Sequence, residues 1–293
     1  MKSLSYDLHI HSCLSPCGDD DMTPGNIVGM AAIKGLDVIA VTDHNSCKNC
    51  PAVLHFAEEY GVLAIPGMEI NTSEEVHAVC LFPSLEAAMA FDSYVYDRLI
   101  PFPNNEEIFG KQQLYNKEDE VCGTVANLLI NSVDISFDGL WELVRSYDGV
   151  MFPAHIDKAA NSLIANLGFV PPDSQFRTAE VKDLKKLHEL KRTNPYLNGC
   201  RIISNSDAHY LEDIHEPELT IEPGKRACRA LWTACSGRWE YEQRTIETTG
   251  KKRSAQQLHR PPLSSFLLRH SFCRLRFRDL EALGMKIGVE TSA

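Results

Sequence analysis

Nowhere in the 293 residues do eighteen apolar residues follow one another, which excludes a helical membrane span. The start also lacks the apolar core of a signal peptide, since residues 1–6 lead straight into a polar, histidine-bearing stretch; a cytoplasmic location and no membrane partner are expected. Tryptophan is scarce. Trp141, Trp232 and Trp239 read as packing residues, not as a stacking platform for bases. Positive charge is scarce too over residues 1–222, with 15 Lys and Arg against 34 Asp and Glu. That deficit argues against a general nucleic-acid-binding surface and leaves a small molecule as the expected partner.

Cysteine is plentiful. Ten in a chain of cytoplasmic character point to free thiols or metal chemistry rather than a disulfide framework. Two pairs, Cys13 with Cys17 and Cys47 with Cys50, flank histidine motifs. They could form a Cys₄ zinc or iron–sulfur site, a redox-labile cluster, or simply four reduced thiols. A composition of 44% hydrophobic and 24% charged residues is ordinary for a globular enzyme.

The hydrophobic pattern predicts alternating strands and helices. Thr23-Pro24 opens a helix that stops at Gly35, a nearly continuous apolar strand covers 36–41, and the cycle repeats from Pro51 to Gly61. Further strands are expected over 62–65, 76–82, 149–154, 176–181 and 201–204, with helices at 84–99, 124–131, 137–147 and 182–192. Counting the opening run 6–12, seven strands alternate with helices. Apolar strands of this kind are buried on both faces, as in parallel β/α units. Residues 101–122 read as an irregular excursion. From 223 to 293 the chain turns basic, with 14 Lys and Arg against 6 Asp and Glu, and loses periodicity after one candidate helix at 225–235. We therefore expect a domain at 1–222 and a basic, poorly ordered C-terminal extension at 223–293.

Histidines gather at the strand ends. His9 and His11 stand two apart in the opening strand, so their side chains share a face. His44 follows Asp43, Glu69 follows the third strand, His77 lies in the fourth, His155 ends the fifth, and Asp207 and His209 follow the seventh. Nitrogen and carboxylate donors recurring at one end of an α/β array are what a metal centre needs.

The segments Asp7-Leu8-His9-Ile10-His11-Ser12, Thr42-Asp43-His44-Asn45, Gly67-Met68-Glu69, Pro153-Ala154-His155 and Ser206-Asp207-Ala208-His209 resemble the motifs of the polymerase and histidinol phosphatase (PHP) superfamily, in unbroken order over residues 5–222. The resemblance implies a distorted seven-stranded (β/α)₇ barrel holding two or three divalent metal ions. The implied ligands are His9, His11, His44, Glu69 as a bridging carboxylate, His77, His155, Asp207 and His209. The family also uses a residue in the loop after the first motif, and counting back five from Pro24 selects Asp19. Asp7 and Asp43 are expected to orient neighbouring histidines by accepting their other ring protons. No polymerase segment accompanies these motifs, so proofreading within a polymerase is not expected.

Such a centre suits phosphate-ester hydrolysis. Paired cations bind the ester's oxygens, lower the pKa of a bound water towards neutrality, and stabilise charge on the attacking and leaving oxygens. His209 could protonate the leaving alkoxide if it is not a ligand. Imidazole-rich donors suit Zn, Mn or Fe better than Mg. Lys158 and Arg177, beyond the fifth strand and at the sixth, stand where a cation could grip a phosphate, although surface charges are commoner. Glu180, ending the sixth strand, reads as a supporting or structural carboxylate. The expected activity is a metal-dependent phosphoesterase acting on a small phosphomonoester or nucleotide-like phosphate. The alternatives are an amide or lactone hydrolase using the same water, or a non-catalytic redox-sensing module.

Overall fold

The computed structural model describes residues 3–221, so the basic extension expected at 223–293 lies outside the described residues. β1 (Leu4–Ile10) leads to α1 (Pro24–Lys34). The Thr23 hydroxyl accepts the Asn26 amide at 3.2 Å to start this helix, and Gly35 ends it at φ 81°, a left-handed conformation open to glycine at no steric cost. β2 (Val38–Val41), α2 (Cys50–Tyr60) and β3 (Leu63–Ala64) complete two β/α steps. Pro66, without an N–H, separates β3 from β4 (Gly67–Asn71), which turns directly into β5 (His77–Leu81). Then follow α3 (Leu85–Tyr96), α4 (Glu106–Phe109), β6 (Gln113–Tyr115), β7 (Val121–Thr124), α5 (Phe137–Ser146) and β8 (Val150–Pro153). The described chain ends with α6 (Leu163–Leu167), β9 (Thr178–Glu180), α7 (Leu187–Thr193), β10 (Arg201–Ile203) and β11 (Thr220–Ile221).

The strands form four sheets among the described residues rather than the expected array of seven parallel strands. β11, β1, β2 and β3 lie in that order, parallel except for β11. β5 lies between β4 and β8 and runs antiparallel to both, β9 and β10 are parallel, and β6 pairs with β7 in a hairpin. The antiparallel sheet has a simple cause. Only residues 72–76 separate β4 from β5, and a parallel return needs a crossover of about a dozen residues or more.

Between the sheets run single bridges, His44 with Glu69 and Ile10 with Ala208, and the Ile156 amide donates to the Glu180 carbonyl at 2.9 Å. These links gather the C-terminal ends of β2, β8, β9 and the segment after β10 around one point. Alternate residues of the strands, including Tyr6, Leu8, Val38, Ala40, Val79, Phe152 and Ile203, pack into one apolar cluster. A second cluster under α1 and α2 and a third under α3 and α5 cover the outer faces. At the last, Phe82 and Phe91 meet with ring centroids 4.8 Å apart.

The expected helix at 124–131 is absent. Gln112, wholly buried, instead staples this segment: its side-chain amide donates to the Val125 and Asn127 carbonyls at 2.9 and 2.8 Å, and its oxygen accepts the Leu129 amide at 2.7 Å. A single side chain thus supplies the bonds a helix would have made.

Candidate metal centre

Glu69 is fixed by its own backbone before its side chain does anything. Its amide donates to the Thr42 and Asp43 carbonyls at 3.2 and 3.0 Å, and its carbonyl accepts the Asn45 amide at 2.8 Å. Asn45 holds a left-handed φ of 48° because its side chain bonds the Leu129 and Asn131 carbonyls and the Asn71 amide. The carboxylate then projects into a ring of imidazoles. His9, His77 and His155 lie 3.2, 3.1 and 3.1 Å from Oε1, and His11 and His44 lie 3.4 and 3.1 Å from Oε2.

Asp207 joins from the opposite side, its Oδ1 standing 3.5 Å from His9 Nε2 and 3.3 Å from His11 Nε2. His209 stacks on His11 with centroids 4.3 Å apart. Both His155, at φ 28°, and Asp207, at φ 50°, sit in left-handed backbone that non-glycine residues rarely adopt. Such strain persists where surrounding bonds over-determine the conformation.

The donor set fits divalent cations. His9 Nε2 and His11 Nε2 approach to 3.2 Å, and His44 Nδ1 and His77 Nδ1 lie close to Glu69 oxygens at angles that make no hydrogen bond. Glu69 Oε2 and both those nitrogens are left without a hydrogen-bond partner among the described residues, although deeply buried. Three groups have ligand atoms within 4.8 Å of one another: His11 with His44 and His209, His9 with His11 and Glu69, and His44 with Glu69 and His77.

Protonation states agree with this. Burial, then the neighbouring His44 and His209, holds His11 well below the ordinary histidine value, and burial also lowers His44. Burial works against ionisation of Glu69, but His77 and His9 outweigh it and leave the carboxyl well below its usual range. Asp207 is lowered in the same way by His9 and His11 against its own burial. His11 and His44 are thereby held neutral and Glu69 and Asp207 ionised, the forms that bind metal, whereas His9, raised by its carboxylate neighbours, would have to release its ring proton to a bound cation.

A surrounding layer aims the histidines. His9 Nδ1 lies 2.9 Å from Glu180 Oε2; burial alone would lower His9, but Glu180 and Glu69 raise it well above its usual value. On the other side Ser15 Oγ donates to Asp43 Oδ1 at 2.7 Å and accepts the His44 amide at 3.1 Å. Its one proton is thereby committed, so the 3.0 Å contact to His11 Nδ1 makes that nitrogen the donor and leaves Nε2 bare towards Glu69 and Asp207. Ser15 was not legible as a site residue, since nothing in its spacing marks it.

Other expected residues need correction. Asp43 meets no imidazole: it accepts the Ser12 amide and hydroxyl at 2.7 and 2.6 Å as well as Ser15, and so acts on His11 only through Ser15. Asp7 accepts the Ser206 and His215 amides at 3.0 and 3.1 Å. The β1–β2 register shifts between Asp7 and Ile10, yet His9 and His11 share a face as expected, with their Nε2 atoms 3.2 Å apart. Asp19 touches the centre by backbone alone, donating to the His209 carbonyl at 2.9 Å, while its carboxylate accepts the Asp21 amide.

The four thiols do not assemble. Cys47 and Cys50 both point at the Gly67 carbonyl, at 3.2 and 3.5 Å, within the apolar core, whereas Cys17 is exposed, and none of the groups among the described residues includes a cysteine. Lys158 Nζ is paired with Asp207 Oδ2 at the rim. Arg177 precedes β9, at the end away from Glu180, where it lies beside Tyr196 and Cys200; it is not at the centre. Lys182, not singled out from the sequence, reaches the Ser206 carbonyl beside Asp207; its place just past the end of β9 was the available signal.

A sequence profile of the PHP domain matches residues 7–225, well over half of the chain. The chain belongs to the PHP family. It is thus one of a family of metal-dependent hydrolases with a mixed α/β fold. Over 79 residues it is 37% identical to an uncharacterized protein of Methanocaldococcus jannaschii, covering 24% of this chain and 46% of that one. Over another 79-residue alignment it is 35% identical to a 5′-3′ exoribonuclease of Haemophilus influenzae, covering 26% and 28%. The matched stretch spans less than half of either relative.

Among solved structures of this fold is a metal-dependent phosphoesterase from Bifidobacterium adolescentis, with TM-score 0.51 and 17% identity over 80% of this chain and 98% of that one. Another is the lesion-specific endonuclease Q of Pyrococcus furiosus, with TM-score 0.53 and 19% identity over 76% and 53%. An endonuclease Q complex holds a 27-mer duplex with an abasic lesion at its active site. The expectation of a small substrate and no nucleic-acid binding is therefore overturned. Its premise was faulty, because net charge sums over the whole surface and does not limit what one rim presents. Among the described residues no helix is long and apolar enough to cross a membrane.

Proposed function

We propose that this PHP-family chain hydrolyses phosphate esters carried by nucleotides or nucleic-acid strands, using two or three divalent cations, Zn, Mn or Fe. The observation that carries the reading is the placement of one carboxylate, Glu69, within 3.4 Å of five imidazoles, with Asp207 and the cationic Lys158 on the open side. The proposed ligands are His9, His11, His44, Glu69, His77, His155, Asp207 and His209. Bound there, such cations supply Lewis acidity towards phosphoryl oxygens and a lowered pKa for water.

The chain's own residues do the rest. Asp7 fixes the 206–215 segment that carries Asp207 and His209, and Glu180 and Ser15 set the ring orientations of His9 and His11. His209 closes the His11–His44 group, which takes that ring nitrogen out of proton transfer. Lys158, with its side chain 41% exposed, offers a positive charge to an incoming phosphate; a neutral amide or lactone would have no use for it.

The test is phosphate release from a 5′-phosphorylated oligonucleotide and a nucleoside monophosphate by chelated and metal-restored protein. Activity that returns with Mn, Zn or Fe and is lost in His9→Ala supports the reading. Protein that binds one ion per chain, or turns over only amides, sinks it.

A further inference from the structure

Positive charge in this acidic chain is concentrated in one segment. Residues 177–201 hold 7 of the 15 lysines and arginines of residues 1–222 but only 3 of the 34 carboxylates. A charge run is ordinarily just a solvated face, and an acidic chain with one basic stretch would call for nothing more. Here two contacts tie the stretch to the metal centre. Lys182 reaches the carbonyl of Ser206, the neighbour of Asp207, and Lys186 Nζ stands 3.9 Å from Asp157, the residue before Lys158. The part of the stretch from Lys182 onward therefore begins at the rim where the ester would enter, while Arg177 and Arg201 lie at the other end of β9 and β10.

From there the chain runs through the 3₁₀ turn Leu184–Lys186 into α7. Leu187 and Leu190 are half-buried, and Leu190 packs on the core, whereas Lys185 and Arg192 are exposed. Neither is committed elsewhere. Among the described residues Lys185 has no ion pair and Arg192, 67% exposed, pairs only with the exposed Glu189 at 3.5 Å, a pairing of little worth in water.

We infer that Lys182, Lys185, Lys186 and Arg192 form a track for the phosphates of a single nucleic-acid strand whose end is held at Lys158 and Asp207. A single strand is indicated because Glu69 is 1% exposed and Asp207 9%, so the reacting phosphate must enter a recess that a strand end reaches more readily than an intact, fully paired duplex; the duplex held by endonuclease Q carries an abasic lesion at its active site. The inference deepens the phosphate-ester reading and rests on it for the polarity of the strand, but binding is measurable without turnover.

The experiment is anisotropy of a labelled, 5′-phosphorylated single-stranded oligonucleotide, RNA and DNA in turn, against metal-loaded protein across a salt series. The double variant Lys185→Glu/Arg192→Glu should bind at least about tenfold more weakly, with a log–log salt slope shallower by about 1.4, as expected for two lost single-strand phosphate contacts. Lys185→Gln/Arg192→Gln should lie between it and the wild type. Metal content and melting temperature, unchanged in both, show that the fold survives. Equal affinity and slope in all three proteins would overturn the track, as would a wild type that binds no strand. Displacement of the oligonucleotide by polyglutamate at equal charge would overturn it in favour of an acidic protein. Strand binding without any phosphate release would instead break the hydrolytic reading and leave the track standing.

Discussion

Glu180 Oε2 stands 2.9 Å from His9 Nδ1, and both side chains are wholly enclosed. Among the described residues this is the one carboxylate that meets a ring nitrogen of the centre from behind, with His9 Nε2 left facing Glu69. Replacing it by Gln keeps the volume and removes the charge that makes the ring basic. Glu180→Gln should weaken metal binding by about 10–100-fold, as losses of such supporting carboxylates do. Competition against a chromogenic chelator measures it; unchanged affinity would make Glu180 a packing residue.

Ser15→Ala removes a hydroxyl that serves three partners: Asp43, His11 and the His44 amide. Asp43 keeps its two bonds from Ser12, but His11 Nδ1 loses its only hydrogen-bonding neighbour among the described residues. Leaving buried polar groups unmet should cost about 1–3 kcal/mol, read by urea denaturation of the metal-free protein. Metal affinity should fall as well, since His11 no longer has its tautomer fixed. Loss of stability with full metal affinity would show that another group orients His11.

The sequence pointed to candidate donors because metal chemistry confines them to few residue types at strand ends, and His9, His11, His44, Glu69, His77, His155, Asp207 and His209 converge whereas the carboxylate of Asp19 does not. It did not disclose what supports them. Asp7 and Asp43 were assigned to imidazoles by adjacency, yet the amides of Ser206 and His215 take up Asp7 and the serines of the loop after β1 take up Asp43. The fold was legible as α/β alternation where apolar runs were long. It failed at β4–β5, where five linking residues impose an antiparallel turn, and at 124–131, where Gln112 replaces helical bonds. Both failures depend on partners distant in sequence or on loop length, which apolar periodicity does not report.

Chelation should destabilise the fold. A ligand that binds only the folded state at a hundred to a thousand times its Kd contributes about 3–4 kcal/mol. For a chain of this size the melting temperature should therefore fall by roughly 5–15 °C on metal removal. His9→Ala should melt at nearly the same temperature with and without chelator. A wild-type melt indifferent to metal would mean that the imidazole ring holds its shape, and its charge, by itself.

Thiol reactivity separates the cysteines. Cys122 and Cys17 are both exposed, but burial of the sulfur, then the charge of Glu69, pushes the Cys17 thiol up to about 12. Alkylation needs the thiolate, so in metal-free protein at pH 8 Cys122 should react first, and Cys17 should accelerate steadily as pH rises towards 11. Cys47, Cys50 and Cys80, buried in the core, should stay unmodified until the chain unfolds. Peptide mass spectrometry follows each site. Rapid modification of Cys17 at pH 7 would contradict the negative field that Glu69 is argued to carry.

Gly67 opens β4 two residues before Glu69, and an added Cβ there would stand 2.6 Å from the Cys80 carbonyl oxygen and 2.7 Å from Leu81 Cδ2. The first is backbone of the paired strand β5 and cannot turn aside, so β4 must move. Overpacking of this kind costs about 1–3 kcal/mol. Glu69 is tied by its amide to Thr42 and Asp43 and by its carbonyl to Asn45, so the displacement reaches the carboxylate on which five histidines converge. Gly67→Ala should therefore lose stability and metal affinity together. Gly29→Ala is the comparator: within α1 a Cβ meets only Tyr60 atoms at 3.9–4.0 Å, and the change should stabilise the helix by about 0.5–1 kcal/mol with metal binding unchanged. If Gly67→Ala lost stability alone, β4 could shift without carrying Glu69, and the centre would owe its geometry to the histidines rather than to the strand.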